Sequence, residues 1–335
     1  MKRWSVGQLT GVILLSLLLW GVLAALCLCV GSTGFHWPGG YERAFRLRLV
    51  GLASLIGAAL AGAGVVYQAI LRNPLADPYL LGVSSGASLF SYLWHLTWTG
   101  ALFASAAGAL GQQGFAFVGA LLAVGIVFFL ANRRGRLDPI TILLVGVIVN
   151  AVNGSVFLLI NAIHKEISPG SGGAFAFLVG GIQTNLTTQQ MTLAAVSIAI
   201  GWIILLYVSG ELNVAGLSEG EAQALGVRIH RLRWVGLIVA SLVTAAAVAI
   251  SGPIGFVGLV CPHLARLLVG NDQRRLLPVA TALGAGLLVL ADASSRALIQ
   301  NAETWLPVGV LTGLLGGPFF LLLLWQNRRV PVSGQ

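Results

Sequence analysis

Ten apolar windows dominate this chain, each about long enough to cross a bilayer and separated by short polar connections. They cover about 8–30, 50–71, 80–97, 103–131, 140–162, 189–209, 234–251, 254–270, 277–295 and 306–326, and Arg266 and Asp292 are the only charged residues inside them. A spanning helix needs about 20 mostly apolar residues, and backbone in lipid must satisfy its own hydrogen bonds, so windows of this length read as helices. With 57% hydrophobic and 9% charged residues, against roughly 25% charged in soluble domains, the chain cannot dress a water-soluble surface. The expected fold is an all-α polytopic membrane protein of ten transmembrane helices, one domain over residues 1–335.

Lys2 and Arg3 before an apolar run imitate a secretion signal, but the run exceeds the roughly 7–15 residues of a signal core, so a first spanning helix is expected. Ser251-Gly252-Pro253-Ile254-Gly255 is a breaker cluster between spans seven and eight. The glycine-rich stretch from Ser168 to Gly181 suits a re-entrant or half-length helix.

Ten spans place both termini on one side. That side then carries Lys2, Arg3, Arg72, Arg133, Arg134, Arg136, Arg228, Arg231, Arg233, Arg266, Arg274, Arg275, Arg328 and Arg329, and the other only Arg43, Arg46, Arg48, Lys165 and Arg296. The positive-inside rule puts the richer side, with both termini, in the cytoplasm. The net charge of +9 thus marks topology and not nucleic-acid binding. Cys27, Cys29 and Cys261 lie in apolar surroundings and imply no disulfide framework.

The loop 211–233 is the one cytoplasmic connection long enough for structure of its own. Ser218 and Glu221 have capping-box spacing, Glu219, Ala222, Ala224 and Leu225 favour helix, and Gly226 stops it. A short amphipathic helix is expected, with Ala222 and Leu225 on one side, either covering its own loop or docking a cytoplasmic partner.

No catalytic set or convergent metal-ligand cluster stands out, and Cys261-Pro262-His263 lacks the further ligands a site needs. With Lys2 and Lys165 the only lysines, no P-loop exists. The ten acidic residues fall near span ends or in loops, Asp292 being the deepest. An ion-coupled secondary transporter, which usually buries carboxylates at mid-membrane, is the less favoured alternative.

Span five carries Gly146, Asn150, Asn153, Gly154, Phe157 and Asn161 on one helical face. Asparagines are unfavourable against lipid, so they line a wet pathway or bind helices together. Gly309, Gly313, Gly316 and Gly317 before Pro318 suit close packing or a hinge in span ten. Arg72-Asn73-Pro74-Leu75-Ala76-Asp77-Pro78 forces an irregular turn at the cytoplasmic end of span two, a candidate gate or an ordinary loop.

Three long motifs, QAILRNPLADPYLLGVSSGA (Gln68–Ala87), GPIGFVGLVCPHLAR (Gly252–Arg266) and LPVGVLTGLLGGPFF (Leu306–Phe320), closely resemble the permease family of binding-protein-dependent ABC importers for siderophores, haem and cobalamin (FecCD-type). Gly220-Glu221-Ala222 to Leu225-Gly226-Val227 matches that family's coupling-helix pattern, and the resemblance covers nearly the whole chain, from about Arg46 to Phe320. It implies ten helices per subunit, an inverted repeat of helices 2–5 and 7–10, and a homodimer with the pathway on its two-fold axis. It also implies two separate cytoplasmic ATPase subunits that hold the ATP and magnesium, so that this chain binds no cofactor, and a periplasmic or lipid-anchored substrate-binding protein.

Residue by residue, the resemblance assigns a pathway along Asn150, Asn153, Phe157, Asn161, Gly309 and Gly313, and a cytoplasmic gate at Asn73 and Leu75. It places ATPase coupling at Glu219, Glu221, Ala222, Leu225 and Gly226. Outward-facing Arg46 and Arg296 would dock the binding protein. Where the family commonly reads Arg-Leu-Pro-Arg, this chain has Arg46-Leu47-Arg48-Leu49, so one docking arginine is either lost or displaced to Arg48. Trp305 stands where a Glu is common, with Glu303 two residues earlier.

Overall fold

The computed structural model describes residues 6–31, 34–96, 111–133, 136–163, 177–215, 219–298 and 306–327. These residues form eleven α-helices: α1 (Val6–Leu28), α2 (Gly40–Ile70), α3 (Val83–Trp94), α4 (Gly111–Ala131), α5 (Pro139–Ile163), α6 (Thr188–Leu212), α7 (Glu219–Ala224), α8 (Ile229–Ser251), α9 (Val257–Val269), α10 (Gln273–Leu298) and α11 (Val308–Asn327). A 3-10 turn, Pro78–Leu81, precedes α3, and two-residue hairpins join Val30–Gly31 to Gly34–Phe35 and Asn132–Arg133 to Arg136–Leu137.

Each of the ten apolar windows holds a helix. Seven (α1, α2, α4, α5, α6, α8 and α10) are long and apolar enough to cross a membrane. Windows three and eight do not become full spans: α3 has 12 residues and α9 has 13. The cause is local. Pro74 and Pro78 before α3, and Gly252 with Pro253 before α9, remove amide donors or favour non-helical dihedrals.

α2, α8 and α10 are the most buried spans, while α1, α5 and α6 keep most of their surface exposed. Small residues allow the central contact: a methyl group at Gly57 of α2 would overlap the carbonyl of Gly284 of α10, and one at Gly284 the carbonyl of Gly57. Without a hydrophobic drive between helices in lipid, such close backbone approach supplies the van der Waals attraction.

The packing partners repeat. α2 packs on α10 as α8 packs on α4, and α2 on α9 as α8 on α3. Within the blocks, α3 meets α4 and α5 as α9 meets α10 and α11, and α4 meets α5 as α10 meets α11. Exchanging α2–α5 with α8–α11 therefore leaves the pattern unchanged. With α7 set aside, these are the helices 2–5 and 7–10 of the expected repeat.

Candidate translocation site and coupling surface

The two breaks occupy equivalent places in the two blocks. Gly82, before α3, has φ 82 and ψ 0, and Phe256, before α9, has φ 69 and ψ −20. Glycine takes this left-handed conformation freely, whereas phenylalanine there is strained. The Phe256 ring lies against Gly316 of α11, where a methyl group would overlap it.

Tyr79 joins the breaks. Its hydroxyl donates to the carbonyl of Ile254 at 2.9 Å and accepts from the Ile254 amide at 2.8 Å. The Asp77 carboxylate accepts from the Tyr79 amide at 2.9 Å and caps the 3-10 turn. Asn150 of α5 donates to the Tyr79 carbonyl at 3.1 Å. Backbone released from helix by the prolines thus finds side-chain partners, as buried backbone must. Nothing in the sequence singled out Tyr79 or Phe256. The available signal was a proline- or glycine-interrupted segment at matching positions of both halves.

The other asparagines of α5 also bond within the chain. Asn153 donates to the Ser85 hydroxyl at 3.0 Å, Asn161 accepts from the Tyr92 hydroxyl at 2.9 Å, and Phe157 meets the Tyr92 ring edge-on with centroids 4.8 Å apart. The stripe therefore fastens α5 to α3. The Gly309 amide donates to the carbonyl of Gly180 at 3.0 Å, and the site leaves no room for a side chain, while Gly313 faces open space.

At the candidate gate, Arg72 is a non-glycine residue at φ 51. The Asn73 side chain accepts from the Leu75 amide at 3.0 Å, which folds the turn and leaves Leu75 41% exposed at its tip. Arg72 Nε donates to the carbonyl of Ala215 at 3.0 Å, so this turn is bonded directly to the 211–233 loop.

In that loop, α7 forms where expected and gives way to a turn that closes at Gly226, with φ 77. Its faces differ from the sequence expectation. Ala222 is fully buried and Leu225 is 63% exposed, so they do not share a side: Ala222 seats the helix, and Leu225 and Glu221 point outward. A one-turn helix buries one narrow strip, and contact with α8 chooses which. Ser218 and the Glu219 side chain lie outside the described residues, as do Glu303, Trp305 and most of 168–181.

The three arginines matched to docking all bond within the chain, Arg46 from a buried position and Arg48 and Arg296 from half-buried ones. Arg46 is buried, donates to the carbonyl of Leu28 at 2.9 Å and pairs with Glu42. Arg296 donates to the carbonyl of Val30 at 2.9 Å and pairs with buried Asp292 at 2.9 Å. Arg48 bonds the Leu186 carbonyl and the Met191 sulfur. Arg46 and Arg296 thus grip the last carbonyls of α1 and the hairpin after it, where unsatisfied acceptors and the helix dipole favour cations. Arg43, one turn before Arg46, is exposed.

Two opposed four-helix blocks, each interrupted at the head of a half-length helix and joined there, define the class: a polytopic membrane permease. The chain belongs to the FecCD transport family, whose model matches residues 22–326. It is 40% identical to the cobalamin import system permease protein BtuC of Halobacterium salinarum over 85% of this chain and 73% of that protein. It is 38% identical to the hemin transport system permease protein HmuU of Yersinia pestis over 85% and 83%. A solved transporter, assigned to the metal-chelate type of ABC transporter and captured facing inward, superposes with a TM-score of 0.80 at 28% identity, covering 95% of this chain and 99% of that one. These relatives are permease subunits of ABC importers or of the same family.

Proposed function

We propose that this chain carries an iron chelate, haem or cobalamin across the inner membrane, with both termini in the cytoplasm, as the permease of an importer driven by separate ATPase subunits. The observation that carries this is the bond from the gate turn to the coupling loop, Arg72 to Ala215. It gives a force applied at α7 a short path to the Asn73–Leu75 turn. Leu225 and Glu221 offer the outward contact for the ATPase, and a second copy of the chain completes the route beside α5 and the open Gly313 face of α11. A binding protein delivers cargo to the face that carries exposed Arg43. The cargo names of the relatives support the substrate class.

An ion-coupled carrier is less well supported, because its deepest carboxylate, Asp292, is already neutralised by Arg296. Proteoliposomes holding the chain with and without its ATPase and binding protein separate the two. Uptake of cobalamin, haem or a ferric siderophore is expected only with ATP and the complete set. Uphill accumulation by the chain alone would overturn the proposal.

A further inference from the structure

One crevice lies away from the two breaks, between α6 and the first helix of the second block. It has a volume of about 370 Å³ and opens where the end of α6 meets the start of α8, on the same side as α7. Ile204 and Val235 contribute apolar wall, and Tyr207, Glu211, Arg228 and Arg231 line its polar end. The four polar residues are exposed, Tyr207 at 87%.

The crevice continues two exposed apolar faces. On α6, exposed Leu193, Ile200 and Tyr207 follow one another at a spacing of seven, and on α8 exposed Ile238 and Leu242 lie beyond Val235 on the side of Arg231. Both faces are aliphatic until they reach Tyr207 and the arginines. That sequence of groups matches the passage from acyl chains to headgroups, where tyrosine and arginine concentrate. Guanidinium groups fit phosphate oxygens bidentately, and basic pockets between spans bind phospholipid headgroups. Glu211 adds the discriminating charge. Its carboxylate disfavours an acidic headgroup and matches a primary ammonium.

We infer that the crevice between α6 and α8 binds phosphatidylethanolamine, with Arg228 and Arg231 on the phosphate, Glu211 on the ammonium, and an acyl chain along Ile204 and Val235. This inference does not depend on the identity of the cargo, and Gly226 of the coupling loop borders the same crevice.

The test is native mass spectrometry of the full-length chain, titrated in detergent with phosphatidylethanolamine or with phosphatidylglycerol of the same acyl chains. The wild-type chain retains phosphatidylethanolamine preferentially. Arg228→Gln and Arg231→Gln each weaken it about fivefold. Glu211→Gln removes the preference and keeps phospholipid bound. Val235→Trp fills the crevice without changing charge and lowers retention too, which separates loss of the site from loss of positive charge. Equal retention of the two lipids by the wild-type chain overturns the inference, as does unchanged retention in both arginine variants. Displacement by millimolar inorganic phosphate reassigns the crevice to a soluble anion and also overturns it.

Discussion

The Tyr79 hydroxyl makes two hydrogen bonds to one residue, Ile254, donating to its carbonyl and accepting from its amide. The residues lie 175 positions apart in opposite halves of the repeat, and each belongs to the irregular segment that opens a half-length helix. One side chain thereby locks together the two places where the backbone departs from helix.

Tyr79→Phe removes both bonds and leaves a buried amide and carbonyl without partners. An unsatisfied buried group costs about 1–3 kcal/mol, so the purified variant should unfold at lower temperature and transport more slowly. Thermal unfolding and proteoliposome uptake check this. Wild-type values in both would mean that the junction tolerates separation.

Arg72→Gln breaks the link from the gate turn to Ala215. The expected outcome is an assembled transporter whose ATPase still turns over while uptake falls by tenfold or more, since losing a charged hydrogen bond of about 1.5–3 kcal/mol corresponds to such factors. Measuring hydrolysis and uptake on one preparation gives the ratio that decides it. Leu75→Arg, on an exposed tip, should likewise preserve folding and block uptake.

Leu225→Arg and Ala222→Arg should fail differently. Leu225 is exposed, so its variant purifies normally but loses ATPase co-purification. Ala222 is fully buried, so arginine there forces a charge against α8 and lowers the yield of folded protein. Size-exclusion profiles with co-purification distinguish them, and a folded Ala222→Arg chain lacking only ATPase would reverse the assignment of faces.

Arg296→Gln leaves Asp292 buried without its cation, a change worth about 3–5 kcal/mol of stability. Arg46→Gln releases the Leu28 and Glu42 contacts without stranding a buried carboxylate and should be milder. Both should loosen the C-terminal end of α1, where Cys27 and Cys29 are buried free thiols. Faster maleimide labelling of these cysteines than in the wild-type chain is expected, and unaltered labelling in both variants would remove the clamp.

Hydrophobic windows, basic-loop asymmetry and the breaker clusters sufficed for the helix inventory, the turn at Asn73–Leu75 and the helix before Gly226, because each depends on neighbours within a few residues. Less could be seen wherever a side chain had to choose between partners. The α5 asparagines could line water or hold helices together, and Ser85, Tyr92 and the Tyr79 carbonyl settled where they point. Arg46 and Arg296 occupy positions matched to docking, and only the fold shows that they also bond the carbonyls of Leu28 and Val30.

Sequence alone was enough to establish that this protein lives in a membrane, where its helices lie and where they must break, since the bilayer imposes length, polarity and backbone satisfaction on each segment separately. It took the folded chain to show that the two breaks meet at Tyr79 and Ile254, that Leu225 is exposed while Ala222 is buried, and that Arg46 and Arg296 bond to the carbonyls of Leu28 and Val30. Those outcomes depend on which distant groups come within hydrogen-bonding reach, and periodicity along the chain carries no such distances.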